Sequence, residues 1–110
     1  MNINIVLRGV ELNSDEQNLL RKQAQALLGG LSHGMESVDL VLEDFNGPRE
    51  GDDQVCRLIL RRTSEPATIL QQRGETAVAV GLAALERAGR LVHRREEKAV
   101  VRHRSAAAFN

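Results

Sequence analysis

Arg87, Arg90 and Arg94 recur at i, i+3 and i+7 within residues 75–98, ETAVAVGLAALERAGRLVHRREEK. On a helix that spacing stacks the three guanidiniums in one stripe, and His93 and Arg95 widen it at the far end. Planar, permanently charged forks in a row are suited to holding phosphate oxygens. The same pattern has a plainer explanation, since cations late in a helix are favoured by the backbone dipole by roughly a few tenths of a kcal/mol each. The segment also carries its own means of being positioned. Val78, Gly81/Leu82, Leu85, Ala88/Gly89 and Val92 repeat at three-and-four spacing and form a separate apolar stripe. The helix can therefore be docked on a core and present its arginines at once.

No other group of residues has the form of a reactive site. There is no glycine-rich phosphate loop, and His33, His93 and His103 lie far apart without a Cys or paired acid to complete a metal site. Asp52 and Asp53 stand in a polar loop with no apolar cluster to raise a carboxylate pKa. Ser14 and Ser64 read as cap and turn. Cys56 is the single cysteine, which excludes an internal disulfide, and its apolar strand context makes it core filler. The sequence thus implies no enzyme, no metal, no cofactor and no small-molecule substrate.

The 110 residues suffice for one sheet-and-helix core and not for two. Apolar residues make up 42% and charged residues 27%, and no run approaches the ~20 apolar residues that a membrane span requires. The start MNINIVLRG has no basic region followed by a long apolar one, so we expect no export signal, a cytoplasmic location and no membrane partner. The zero net charge conceals a division. Residues 1–53 hold four basic and ten acidic side chains, net −6, and residues 54–110 hold eleven basic and five acidic, net +6. Such polarity suggests one side that faces a polyanion.

The elements that must position the arginine helix follow in order. Residues 2–8 alternate, with Ile3, Ile5 and Leu7 on one face, and predict a strand. Gly9 breaks it. Asn13 or Ser14 then caps a first helix to about Leu28, with Ser14 and Gln17 spaced as a capping box. Its core stripe is Leu19 or Leu20, Ala24, Leu27/Leu28 and Leu31, and Gly29-Gly30 stops it. Residues 36–45 predict a second strand with Val38, Leu40 and Leu42 inward. The turn formers of residues 46–53 form a hairpin loop, and residues 54–62 predict a third strand with Cys56, Leu58 and Leu60 inward. An antiparallel register pairing Leu40 with Leu60 and Leu42 with Leu58 would set Asp39 against Arg61 and Glu43 against Arg57. Those ion pairs on an open face would be worth about 0.2–1 kcal/mol each. A slip of two residues is the competing register. Residues 67–73 predict a polar edge strand whose inward set is either Thr68, Leu70 and Gln72 or Ala67, Ile69 and Gln71. The long helix is expected to end at Lys98, with residues 99–110 as a tail packing at most through Val100 and Val101.

The opening MNINIVLRGVELN, the segment GETAVAV before the last helix and the basic ALERAGRLVHRREEK resemble the ribosome hibernation promoting factor family, also called the ribosome-associated inhibitor or sigma-54 modulation family. The resemblance covers residues 1–98, a single domain, and corresponds to the short form. It implies an α+β fold, β-α-β-β-β-α, with a four-stranded sheet and both helices on one face. It further implies a factor that binds the rRNA of the small ribosomal subunit along the mRNA path and blocks translation in resting cells. Carried over by position, the nucleic-acid-binding residues are Arg8, Lys22, Arg87, Arg90, Arg94 and Arg95. The first helix is less basic than the resemblance leads one to expect, with Gln17, Gln23 and Ala26 where the family commonly carries a positive charge, which would lower affinity and salt dependence together. A second reading keeps the fold as a protein-interaction module without RNA, a homodimer through the open sheet face or the fourth strand, motivated by Val41, Val55 and Ile59 on the outward face.

Overall fold

The computed structural model describes residues 1–29, 35–45 and 54–108, with the side chains of the last helix described as far as Arg94. The element order is β1 (Asn2–Arg8), α1 (Ser14–Leu28), β2 (Met35–Asp44), β3 (Gln54–Arg62), β4 (Thr68–Gly74) and α2 (Ala77–Ala108). The strands form one sheet in the order β1-β2-β3-β4, parallel between β1 and β2 and antiparallel thereafter. This is the expected α+β arrangement. The hairpin loop over residues 46–53 and the expected core position Leu31 lie outside the described residues.

Alternation in the strands sets the core on one side of the sheet. Val38, Leu40 and Leu42 of β2 and Cys56, Leu58 and Leu60 of β3 are fully or almost fully buried, and Ile3, Ile5, Leu7 and Leu70 pack against them. Both helices cover this face. Leu20, Ala24 and Leu28 of α1 and Val80, Ala84, Leu85, Ala88 and Val92 of α2 complete the same cluster. α1 contacts β1, and α2 lies over β3 and β4. The helices run parallel, because Gly81 meets Leu20 and Gly89, further along α2, meets Leu27, further along α1. A Cβ on Gly81 would come 2.8 Å from Leu20 Cδ2, so the close approach of the helices depends on a glycine there.

Several local expectations change. Asn13, and not Ser14, is the cap of α1; its side chain accepts from the Glu16 amide at 2.8 Å, and Glu16 Oε1 accepts from the Asn13 amide, so Glu16 and not Gln17 closes the capping box. α2 begins at Ala77 because Thr76 caps it, its Oγ1 3.3 Å from the Ala79 amide. The start fixes the phase of the helix, so Val80 and Ala84 are buried while Val78 is only half-buried. The helix continues beyond Lys98 to Ala108, through a sequence with neither Gly nor Pro to stop it and with alanines near its end. The inward set of β4 is Thr68, Leu70 and Gln72, opposite Leu60, Leu58 and Cys56.

The β2–β3 register is the two-residue alternative. Val38 faces Leu60, Leu40 faces Leu58 and Leu42 faces Cys56. The expected pairing would have left Val38 opposite Arg62 and Asp44 opposite Cys56, whereas the observed one sets all three inward residues of β2 against apolar partners. Glu43 consequently faces Val55, and Arg57 faces Val41. Asp39 faces Ile59, yet still pairs with Arg61, which reaches it across the diagonal. Asn4 donates to the other Asp39 oxygen at 2.8 Å.

The Asn4 hydrogen bond is the largest influence and lowers the Asp39 pKa below its ordinary 3.8; burial opposes it, and the hydrogen bond and charge of Arg61 add to the lowering. A depressed carboxylate pKa stabilises the fold above the unfolded value, and that contribution is lost as pH falls through the folded one. Asp39→Asn is therefore expected to cost about 0.5–1 kcal/mol at neutral pH, and the difference from wild type should shrink as pH falls below the ordinary carboxylate range in urea titrations. A difference independent of pH would show that the carboxylate charge is not what holds Asn4 and Arg61.

Candidate nucleic-acid interface

Arg87, Arg90 and Arg94 are exposed on the flank of α2 nearest β4, and the three converge on a concavity of about 230 Å³ floored by Leu70 and Leu91. Among the described residues no acidic side chain lines it. The arginine stripe read from the sequence is therefore a single site, built by the phase of α2 on one side and the inward leucine of β4 beneath.

Its three members are not equivalent. Arg87 Nη1 donates to the Gln71 carbonyl at 2.8 Å and to Gln72 Oε1 at 3.0 Å, so this side chain is tied down to the edge strand. Arg90 and Arg94 have no hydrogen bond or ion pair among the described residues. α1 does the same thing at the opposite edge, where Arg21 Nη1 donates to the Ile3 carbonyl of β1 at 2.8 Å. An edge strand presents backbone groups that another chain could pair with. Each helix thus sends one arginine to occupy a carbonyl of the edge strand beside it.

The other residues expected in the site lie elsewhere. Arg8 is exposed at the end of β1, opposite Glu43, on the sheet face away from the helices and at the edge far from β4. Lys22 is exposed on α1, turned away from buried Leu20 and Ala24, and does not line the concavity. The side chain of Arg95 lies outside the described residues. A second groove of about 330 Å³ runs between the helices, lined by Ala26, Leu27, Glu86, Gly89, Arg90 and His93, so Arg90 borders both depressions and has Glu86 across one of them.

Arg73 was not expected in any site, and Arg57 only if the β2–β3 register slipped by two residues, as it does. They stand exposed on the open face of β3 and β4, and neither forms an ion pair or hydrogen bond among the described residues. The alternation of residues 67–73 could have shown Arg73 as outward, and the two-residue register releases Arg57 from the acid assigned to it. Burial pushes the Cys56 thiol up to about 12, so it is a neutral core group at physiological pH. Among the described residues no three His, Cys, Asp or Glu side chains come together as a metal site, and no helix is long and apolar enough to cross a membrane.

Compared by sequence, the chain matches no protein-family model and no curated protein. Compared by structure, it is similar to the N-terminal domain of Protein Y from Thermus thermophilus, with a TM-score of 0.68 and 17% identity over 86% of this chain and 98% of that one. It is equally similar to a ribosomal subunit interface protein from Coxiella burnetii, with a TM-score of 0.68 and 7% identity over 88% of this chain and 99% of that one. At such identities the likeness is one of fold. It is the fold that the sequence resemblance implied.

The unequal bonding of the arginines has a measurable consequence. Arg87→Ala should lower unfolding free energy by about 1 kcal/mol, since it removes two hydrogen bonds from a charged donor, while Arg90→Ala and Arg94→Ala should stay within about 0.5 kcal/mol of wild type. Urea denaturation of the three variants measures this, and equal effects at all three positions would refute the structural role of Arg87.

Proposed function

We propose that the protein is a non-enzymatic, cytoplasmic ribosome-associated factor of the hibernation type, which holds rRNA of the small subunit through arginines of α2 and thereby restrains translation. The observation that carries this is the convergence of Arg87, Arg90 and Arg94 on one concavity that has no acidic lining residue among the described residues. Unpaired guanidiniums on a rigid helix are preorganised for phosphate, and such contacts fix position without reading bases. The fold shared with a ribosomal subunit interface protein supports the same reading. Within it, Arg90 and Arg94 are the phosphate-holding residues and Arg87 orients the site from its anchorage on β4. Lys22 and Arg8 add positive potential from other surfaces.

The alternative, a homodimer that uses the open sheet face or β4, draws on Ile69, which is 61% exposed and paired with Ile59 on that face. The Arg87 cap on Gln71 opposes strand addition at β4. Light scattering separates the two readings, the first requiring a monomer and the second a dimer insensitive to salt.

The direct test is co-sedimentation with purified small ribosomal subunits. Wild type should travel with the subunits at low salt and be released as salt rises. Arg90→Ala with Arg94→Ala removes two phosphate contacts, which at ~0.7 per contact lowers the salt slope by about 1.4 and weakens binding about 25-fold at ~0.1 M salt. Absence of wild type from the subunit fraction at low salt would overturn the proposal. Retention of the double variant at wild-type affinity would move the site off α2.

A further inference from the structure

We propose that the open face of β3 and β4 is a second contact surface for single-stranded RNA, with Arg57 and Arg73 as its phosphate-holding residues, so that the bound strand passes around the β4 edge and meets arginines on both faces of the sheet. This rests on the ribosome-associated reading above and extends it to a face that α2 does not form.

The register lays out the open face in cross-strand rows. One row is Arg8, Glu43, Val55 and Arg73, with Val55 itself buried; the next is Val6, Val41, Arg57 and Gln71; the third is Asn4, Asp39, Ile59 and Ile69. Of the acids on this face, Asp39 is engaged by Asn4 and Arg61. Glu43 lies directly beside Arg8 and diagonal to Arg57, without a close ion pair to either. Arg57 and Arg73 are themselves diagonal neighbours, Arg57 facing Gln71 and Val55 facing Arg73. Two like charges so placed repel one another. Both are exposed and uncompensated among the described residues, which is the arrangement an external anion relieves.

The surroundings favour a nucleic acid strand over a small anion. Ile69 and Ile59 form an apolar strip in the row next to Arg57, one row further from Arg73, with Ile69 61% exposed, and Gln71 offers an amide next to it. Apolar and amide surface at base level with cations alongside is what a splayed single strand requires, its bases lying on the strip and its phosphates at the arginines. Gln71 also joins the two faces, since its carbonyl holds Arg87 on the helix side. Around β4, then, Arg57 and Arg73 lie on one face and Arg87, Arg90 and Arg94 on the other.

Wild type, Arg57→Gln/Arg73→Gln and Arg90→Gln/Arg94→Gln are bound to purified small ribosomal subunits across a salt series, with thermal unfolding of each to confirm the fold. The inference predicts that the open-face pair lowers the salt slope by about 1.4 and the affinity about 25-fold at ~0.1 M salt, comparable to the α2 pair. Wild-type affinity and slope for the open-face pair, with loss only in the α2 pair, would overturn the inference and leave the ribosome-associated reading in place. Failure of wild type to bind the subunits would overturn both. A salt-insensitive homodimer that Ile69→Asp dissolves would assign the face to a second copy of the chain and overturn the inference.

Discussion

The interleaving of β2 and β3 is the constraint on which the rest of the molecule depends. Both strands are buried on one face, so their register can change only in steps of two residues without turning leucines to water. Among the allowed steps, the observed one alone sets Val38, Leu40 and Leu42 opposite Leu60, Leu58 and Cys56. Burial of these six side chains, at about 1.5–3 kcal/mol for each larger one, outweighs any surface ion pair at about 0–1 kcal/mol. Core packing therefore decides which charges meet on the far side. Asp39 keeps Arg61 only because a long side chain spans the diagonal, and Arg57 is left facing Val41.

Identical guanidiniums consequently do different things. Arg21 and Arg87 hold carbonyls of the two edge strands, Arg61 secures Asp39, and Arg62 stands 3.7 Å from Glu65 at the turn. Arg57, Arg73, Arg90 and Arg94 have no such employment among the described residues. All four belong to β3, β4 or α2. Because the strand order follows the chain and α2 lies over β3 and β4, the acidic first half and basic second half of the sequence become two sides of one domain. A neutral protein thereby presents a positive flank, and the flank is where the arginine concavity lies.

Much of this was legible in residue patterns, for identifiable reasons. Period-two alternation placed Ile5, Leu40 and Leu58 on the core face, and period-four recurrence placed Ala24, Leu85 and Ala88 in the helix interface. The arginine stripe emerged from the same periodicity. What escaped depended on contacts between elements. Register required counting apolar pairs along the whole ladder and not matching charges; the inward face of β4 had no strong alternation to fix it. The start of α2 turned on Thr76 as cap. The anchoring of Arg87 needed the position of the Gln71 carbonyl, and the separation of Arg8 from α2 needed the sheet order. Resemblance by position grouped six basic residues; geometry gathers three of them.

On the proposed reading, one flank of the domain, β3, β4 and α2, takes the polyanion. Titrating isotope-labelled protein with a single-stranded oligouridylate and following backbone amides and arginine Nε–H groups by NMR tests it residue by residue. Shifts are expected to concentrate in β3, β4 and α2, with the Nε–H signals of Arg90 and Arg94 among the largest and with α1 and β1 nearly unmoved. Shifts centred on α1 and β1, around Lys22 and Arg8, would contradict it.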